Sequence, residues 1–125
     1  GYGFFSVIEK ATGQWLGRVG PWYPHGWPQP EIGWTLNRES WGKGYATEAA
    51  IACMDHAFDT LGWDSVIHLI HADNRGSQAV AARIGSANTG QEVEVPGFGI
   101  LVDIWGQSAS DWRTHRARLA PAITK

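Results

Sequence analysis

From Asn37 to Glu48 the chain reads Asn37-Arg38-Glu39-Ser40-Trp41-Gly42-Lys43-Gly44-Tyr45-Ala46-Thr47-Glu48, two glycines and an alanine leading into a strongly periodic stretch. Small residues clear side chains from the backbone there, so that successive N–H groups converge on one point. The start of a following helix adds its unpaired donors and the positive end of its dipole. Such a point binds anions, phosphate above all. Lys43 would add a charge-assisted contact. An ordinary strand-to-helix turn tightened by glycine is the plainer account, and Gly-x-Gly alone does not exclude it. Neither the Walker loop nor the dinucleotide fingerprint Gly-x-Gly-x-x-Gly is present.

The elements that must position this turn follow from periodicity. Phe4 to Lys10 and Gln14 to Val19 read as two strands of a hairpin around Ala11-Thr12-Gly13. Gly20 to Pro30 holds four prolines and reads as a loop. Glu31 to Leu36 is a third strand. Apolar residues at 46, 49, 50, 53, 54, 57, 58 and 61 then keep helical spacing, and Gly62 suits a left-handed helix end. A helix of roughly 17 residues would span about 25 Å. Val66 to Ala72 suits a strand buried on both faces. A shorter helix runs from about Arg75 to Ile84, ending at Gly85. Strands near Gln91–Val95 and Gly99–Trp105 flank a Pro96-Gly97 turn. The order predicts an α/β layer with a mixed sheet in a single domain.

Composition narrows the function. The chain has 125 residues, 43% of them hydrophobic and 18% charged, which describes a globular domain. No apolar run approaches the ~20 residues of a membrane span, and Gly1 to Phe5 has no basic segment before an apolar one. A net charge of −2 offers no basic face for nucleic acid. The single cysteine, Cys53, cannot close an internal disulfide and agrees with a cytoplasmic, reducing setting.

Glu31-Ile32-Gly33-Trp34-Thr35-Leu36 followed by Trp41-Gly42-Lys43-Gly44-Tyr45-Ala46-Thr47-Glu48-Ala49 resembles the GNAT superfamily of N-acetyltransferases, in particular its ribosomal-protein N-terminal acetyltransferase (RimJ/RimL) branch. In the family's pyrophosphate signature, Gln/Arg-x-x-Gly-x-Gly/Ala, Gly44 and Ala46 fill the last two defined positions, and Trp41 replaces the leading Gln or Arg. Asn74 and Ser77 match a second signature, Asn-x-x-Ser. The resemblance covers roughly Phe4 to Trp105. It implies a mixed, mostly antiparallel sheet flanked by helices, with residues 31–85 as the acetyl-CoA-binding core. Trp34, Thr35 and Leu36 would pair by backbone with the pantetheine arm, in a V opened between their strand and Val66–Ala72. Backbone from Gly42 to Thr47 would hold the pyrophosphate. Asn74 would bond the coenzyme near its pantetheine, with Ser77 close to the thioester. Transfer to a primary amine would be direct, requiring neither a metal nor an enzyme cysteine.

That chemistry needs a base for the ammonium and an acid for the departing thiolate. Glu31 stands where many family members carry a glutamate base. A solvent-exposed strand-end carboxylate is an equally open account. The resemblance makes Ser77 a candidate acid, because the branch lacks the tyrosine that other branches place on that helix and none follows here. A polar first-turn residue beside an N-cap is at least as open an account, and Asn74 also suits a helix cap. Cys53 lies on an apolar stripe and reads as core. His68 and His71, three apart on a strand, would face opposite sides, which argues against a shared metal. Trp22, Tyr23, His25 and Trp27 crowd the proline-rich loop. They would grip a substrate, pack over an incomplete core or, as a binding module, bind carbohydrate. The family domain usually begins with a strand and two helices that form one wall of the acceptor site, and these are expected to be missing from a chain that starts at the hairpin following them. The acceptor wall is therefore expected to be incomplete, whether because the chain is a fragment, because a second chain supplies the wall, or because the protein binds coenzyme without efficient transfer. An uncovered sheet edge is also expected to favour a homodimer.

Overall fold

The computed structural model describes residues 5–8, 10–23, 26–36, 44–95 and 97–123. Strands β1 (Phe5–Ile8), β2 (Trp15–Trp22) and β3 (Glu31–Leu36) lead into α1 (Tyr45–Asp55), whose last turn widens into a π-helical turn, His56–Thr60. Then come β4 (Ser65–Ile70), α2 (Arg75–Arg83), β5 (Ala87–Glu94), β6 (Leu101–Ser108) and α3 (Ala109–Ile123). The six strands form one sheet in the order β1-β2-β3-β4-β6-β5. Every neighbouring pair is antiparallel except β3 and β4. The expected fold class, a mixed and mostly antiparallel sheet flanked by helices, is the observed one.

β4 has two unlike neighbours. Against β6 it is paired along its whole length, from Ser65↔Ser108 to Ile70↔Asp103. Against β3 it keeps only Glu31↔Ile67, after which the strands diverge. Trp34, Thr35 and Leu36 thus pair with Val19, Arg18 and Gly17 of β2 on one side and, among the described residues, with no strand on the other. This is the V that the resemblance implied. Gly106 lets β6 approach on the closed side, since a Cβ there would stand 2.6 Å from the Val66 carbonyl oxygen.

The helical stripe read in the sequence is the core. Ala50, Ile51, Cys53 and Met54 of α1, with Ala57 and Phe58 of the π turn, pack on Val19, Ile32 and Val66, joined by Val80 of α2 and by Ile84, its C-cap. Burying a side chain such as Met54 or Ile32 completely is worth about 1.5–3 kcal/mol each. Gly62, at φ 71°, ends the helical run where expected.

Three expectations need correction. The loop does not begin at Gly20, because β2 continues through Pro21 to Trp22, opposite Ile32 and Glu31. Proline's fixed φ is compatible with extended backbone, so Pro21 does not break the strand. His71 lies beyond the last residue of β4 and is exposed, so the argument from opposite strand faces does not apply to it. Finally, the chain does not finish on a hairpin. α3 follows β6, and Trp112 packs under Phe58 while Asp55 accepts hydrogen bonds from Trp112 Nε1 (3.0 Å) and Arg116 Nε (2.9 Å to Oδ2).

Candidate active site

α1 follows β3, the strand that parts from β4. Gly44 is its N-cap, held at φ 81°, and among the described residues no side chain caps the helix. The first intrahelical bond runs from Glu48 N–H to Gly44 C=O at 3.0 Å. A Cβ built on Gly44 meets nothing within 4 Å, so the space above the turn is open among the described residues. In the first turn Thr47 Oγ1 is buried without a hydrogen-bond partner. A buried, unpaired hydroxyl costs about 1–3 kcal/mol, and here it sits beside an uncapped helix start. Trp41, Gly42 and Lys43, predicted to contribute to this turn, lie outside the described residues; Gly44, Tyr45, Ala46 and Thr47 are where the sequence puts them.

The start of α2 is built differently. Asn74 Oδ1 accepts from Ser77 N–H at 3.1 Å, an N-cap that leaves the amide Nδ2 available. Ser77 Oγ in turn accepts from Trp34 Nε1 at 3.2 Å, so its own proton can point elsewhere. The Trp34 side chain therefore ties β3 to the first turn of α2, a role that backbone-pairing logic did not anticipate.

Glu31 is buried, so the exposed-carboxylate account fails. Oε1 accepts from Trp27 Nε1 (2.9 Å) and Oε2 from Leu69 N–H (2.8 Å). Burial raises its pKa above 4.5, and the two donors offset this only partly. The loop after β2 thus reaches back over the sheet: Trp27 touches Glu31 and stacks edge-on against Trp22, 6.4 Å between rings. His25 lies outside the described residues. Burial pulls His68 down to about 4, so it is neutral near pH 7. Both its ring nitrogens are engaged, by Ile32 C=O and Ser86 Oγ at 2.8 Å each. Cys53 is core, its thiol pushed up to about 11 by desolvation, and is no nucleophile.

Comparisons with known proteins show the family. Residues 1–87 match the family model described as an acetyltransferase (GNAT) domain. The chain belongs to the GNAT family. Among relatives, YkkB of Bacillus subtilis is 39% identical over 89 residues, covering 68% of this chain and 52% of YkkB. YnaD of the same organism, named as an N-acetyltransferase, is 35% identical over 86 residues, covering 69% of this chain and 51% of YnaD. An acetyltransferase from Agrobacterium tumefaciens, solved by crystallography, superimposes with a TM-score of 0.72 at 30% identity, over 85% of this chain and 60% of that one. The chain spans about half the length of the curated relatives it matches.

Within this GNAT core, Trp27, Ser86, Gln107 and His115 were not singled out as polar partners by any motif. The hydrogen bonds that join them to Glu31, to His68 and to one another span 4 to 21 residues of sequence.

Proposed function

We propose that this chain carries the acetyl-CoA site of an N-acetyltransferase, of the ribosomal-protein N-terminal acetyltransferase type, that moves an acetyl group to a primary amine. The observation that carries this reading is the uncapped start of α1, with Gly44 left-handed and Thr47 Oγ1 buried and unpaired, beside strands that part after one bridge. The coenzyme's pyrophosphate would take the amides and hydroxyl of that turn, including the residues from Trp41 to Lys43. Its pantetheine arm would pair with Trp34, Thr35 and Leu36 in the V, near Asn74. The branch assignment rests on Trp41 in the signature and on the lack of a tyrosine on α2. Residues 1–125 would form a single domain, with a homodimer through the β1 edge, where Ile8 and Trp15 are exposed.

In the reaction the amine nitrogen forms a bond to the acetyl carbonyl carbon, the C–S bond breaks, and the thiolate leaves with the electron pair. Glu31 is the candidate acceptor of the ammonium proton, and its raised pKa suits that task. Ser77, whose oxygen accepts from Trp34, would donate its proton to the departing thiolate. A second reading is favoured by the engagement of both Glu31 oxygens: a protein that binds coenzyme without efficient transfer.

Glu31→Gln separates the two. Glutamine keeps an acceptor for Leu69 N–H and removes basicity. Thiol release from acetyl-CoA, measured in the intact protein against a panel of amines, should show kcat lowered in the variant at neutral pH. It should recover partly as pH rises, because more amine then arrives neutral, with CoA affinity little changed. CoA binding without amine-dependent thiol release in the parent would favour the binding-only reading, and parent-level turnover by the variant at every pH would remove Glu31 as the base.

A further inference from the structure

The pairing of β3 with β4 stops after a single bridge, and both backbone groups of the first missing bond have found other partners. Ile67 N–H donates to Pro30 C=O at 2.9 Å. Bonds on one strand of a parallel ladder recur at every second residue, so the next would join Leu69 N–H to Ile32 C=O. Leu69 N–H donates instead to Glu31 Oε2 at 2.8 Å, and Ile32 C=O accepts from His68 Nδ1 at 2.8 Å. A buried backbone group left unpaired is costly, so strands cannot part here without substitutes. Two side chains take the two halves of one broken bond.

The His68 half is fixed from behind. A carbonyl only accepts, so Nδ1 carries the hydrogen and Nε2 must accept, from the Ser86 hydroxyl at 2.8 Å. Ser86 Oγ itself accepts from Gln107 Nε2 at 2.8 Å, and Gln107 Nε2 also donates to Ile84 C=O at 2.8 Å. Gln107 Oε1 accepts from His115 Nδ1 at 2.9 Å. The chain from α3 to β3 leaves His68 a single tautomer. Its ring lies 4.9 Å from that of Trp34, the residue that reaches Ser77.

We infer that His68, held as its Nδ1–H tautomer by Ser86, is a positioning residue that keeps β3 and β4 apart, so that the groove for the pantetheine arm is already open in the free protein. The inference rests on the coenzyme site proposed above. Glu31 supplies the matching half of the wedge.

Two substitutions in the intact protein divide the roles of the ring. The amide of His68→Asn falls near the position of Nδ1 and keeps a donor for Ile32 C=O. The amide of His68→Gln reaches the place of Nε2, keeps Ser86, and leaves Ile32 C=O free to recapture Leu69 N–H. By calorimetric titration CoA should bind His68→Asn within about threefold of the parent and His68→Gln about tenfold more weakly or worse. Equal affinities in the two variants, or the reverse order, would overturn the inference, since a ring that merely fills the core would give no such split. NMR of the free parent supplies a test independent of coenzyme. Scalar coupling across the hydrogen bond should connect Leu69 N to the Glu31 carboxyl carbon and not to the Ile32 carbonyl carbon. Coupling to Ile32 would refute the wedge. Absence of CoA binding by the parent would instead refute the coenzyme reading, while the coupling pattern still decides whether the strands are held apart.

Discussion

The helices that follow the two splayed strands begin in opposite ways. α2 starts on Asn74, whose side chain caps it, and the polar groups around that start are paired in series through Ser77, Trp34, His68 and Ser86. α1 starts on a left-handed glycine with no capping side chain among the described residues, and its first turn buries a hydroxyl without a hydrogen-bond partner there. A cap at α1 would stabilise the free protein by about 1 kcal/mol. On the function proposed above, a ligand would complete the structure there: the satisfied start of α2 would serve position, and the unsatisfied start of α1 would serve binding.

The largest break in this contrast should come from Gly44→Val. It places a side chain in the open space above the turn and strains the backbone by about 1–3 kcal/mol. CoA affinity should drop by about 100-fold or more in calorimetric titration, with the circular dichroism spectrum retained.

Acid should test the satisfied side. The pKa of His68 falls from 6.5 to about 4 on folding, so the unfolded chain holds the extra proton between those values. The stability that neutral His68 provides is complete above about pH 6.5 and is lost as pH falls toward 4, at up to about 1.4 kcal/mol per pH unit. Glu31 works with the opposite sign: its folded pKa is raised above 4.5, so its burial costs stability as pH rises through that folded value. Denaturant titrations of the parent and of His68→Asn across pH 4–7 isolate the histidine. The variant should lack this part of the slope, and parallel curves would show that His68 does not titrate as described.

The smallest effect belongs to the cap. Asn74→Ala should cost about 1 kcal/mol of stability in urea unfolding. CoA affinity should change by only a few-fold, since Asn74 Oδ1 is already committed to Ser77 N–H.

Much of this was legible in sequence because it is local. The stripe from Ala46 to Leu61 fixes a buried helix face, Gly44 fixes a turn, and Asn74 with Ser77 fixes a cap, each within a few residues. α3 was missed although Trp112, Arg116 and Leu119 keep helical spacing, because that stripe is sparse and its partners, Asp55 and Phe58, lie far back in the chain. The extension of β2 through Pro21 was hidden too. Proline reads as a breaker, although its fixed φ also suits extended backbone. Glu31 looked evenly balanced between base and surface charge because its burial depends on Trp27 folding back and on an amide of β4 that the splay sets free. The wedge has no local signature at all, since His68 meets Ile32 across 36 residues and Ser86 across 18.

The central claim, that the start of α1 holds the coenzyme's pyrophosphate, is tested most directly by Thr47→Val. Valine replaces an unpaired buried hydroxyl with a methyl of similar size, so a merely structural Thr47 would leave stability equal or higher and binding untouched. Calorimetric titration of parent and variant with CoA, and with pantetheine, which lacks the pyrophosphate, gives four affinities. The account predicts an undiminished melting temperature, about a tenfold loss for CoA and no change for pantetheine. Equal CoA affinity in parent and variant, or equal losses for both ligands, would contradict it.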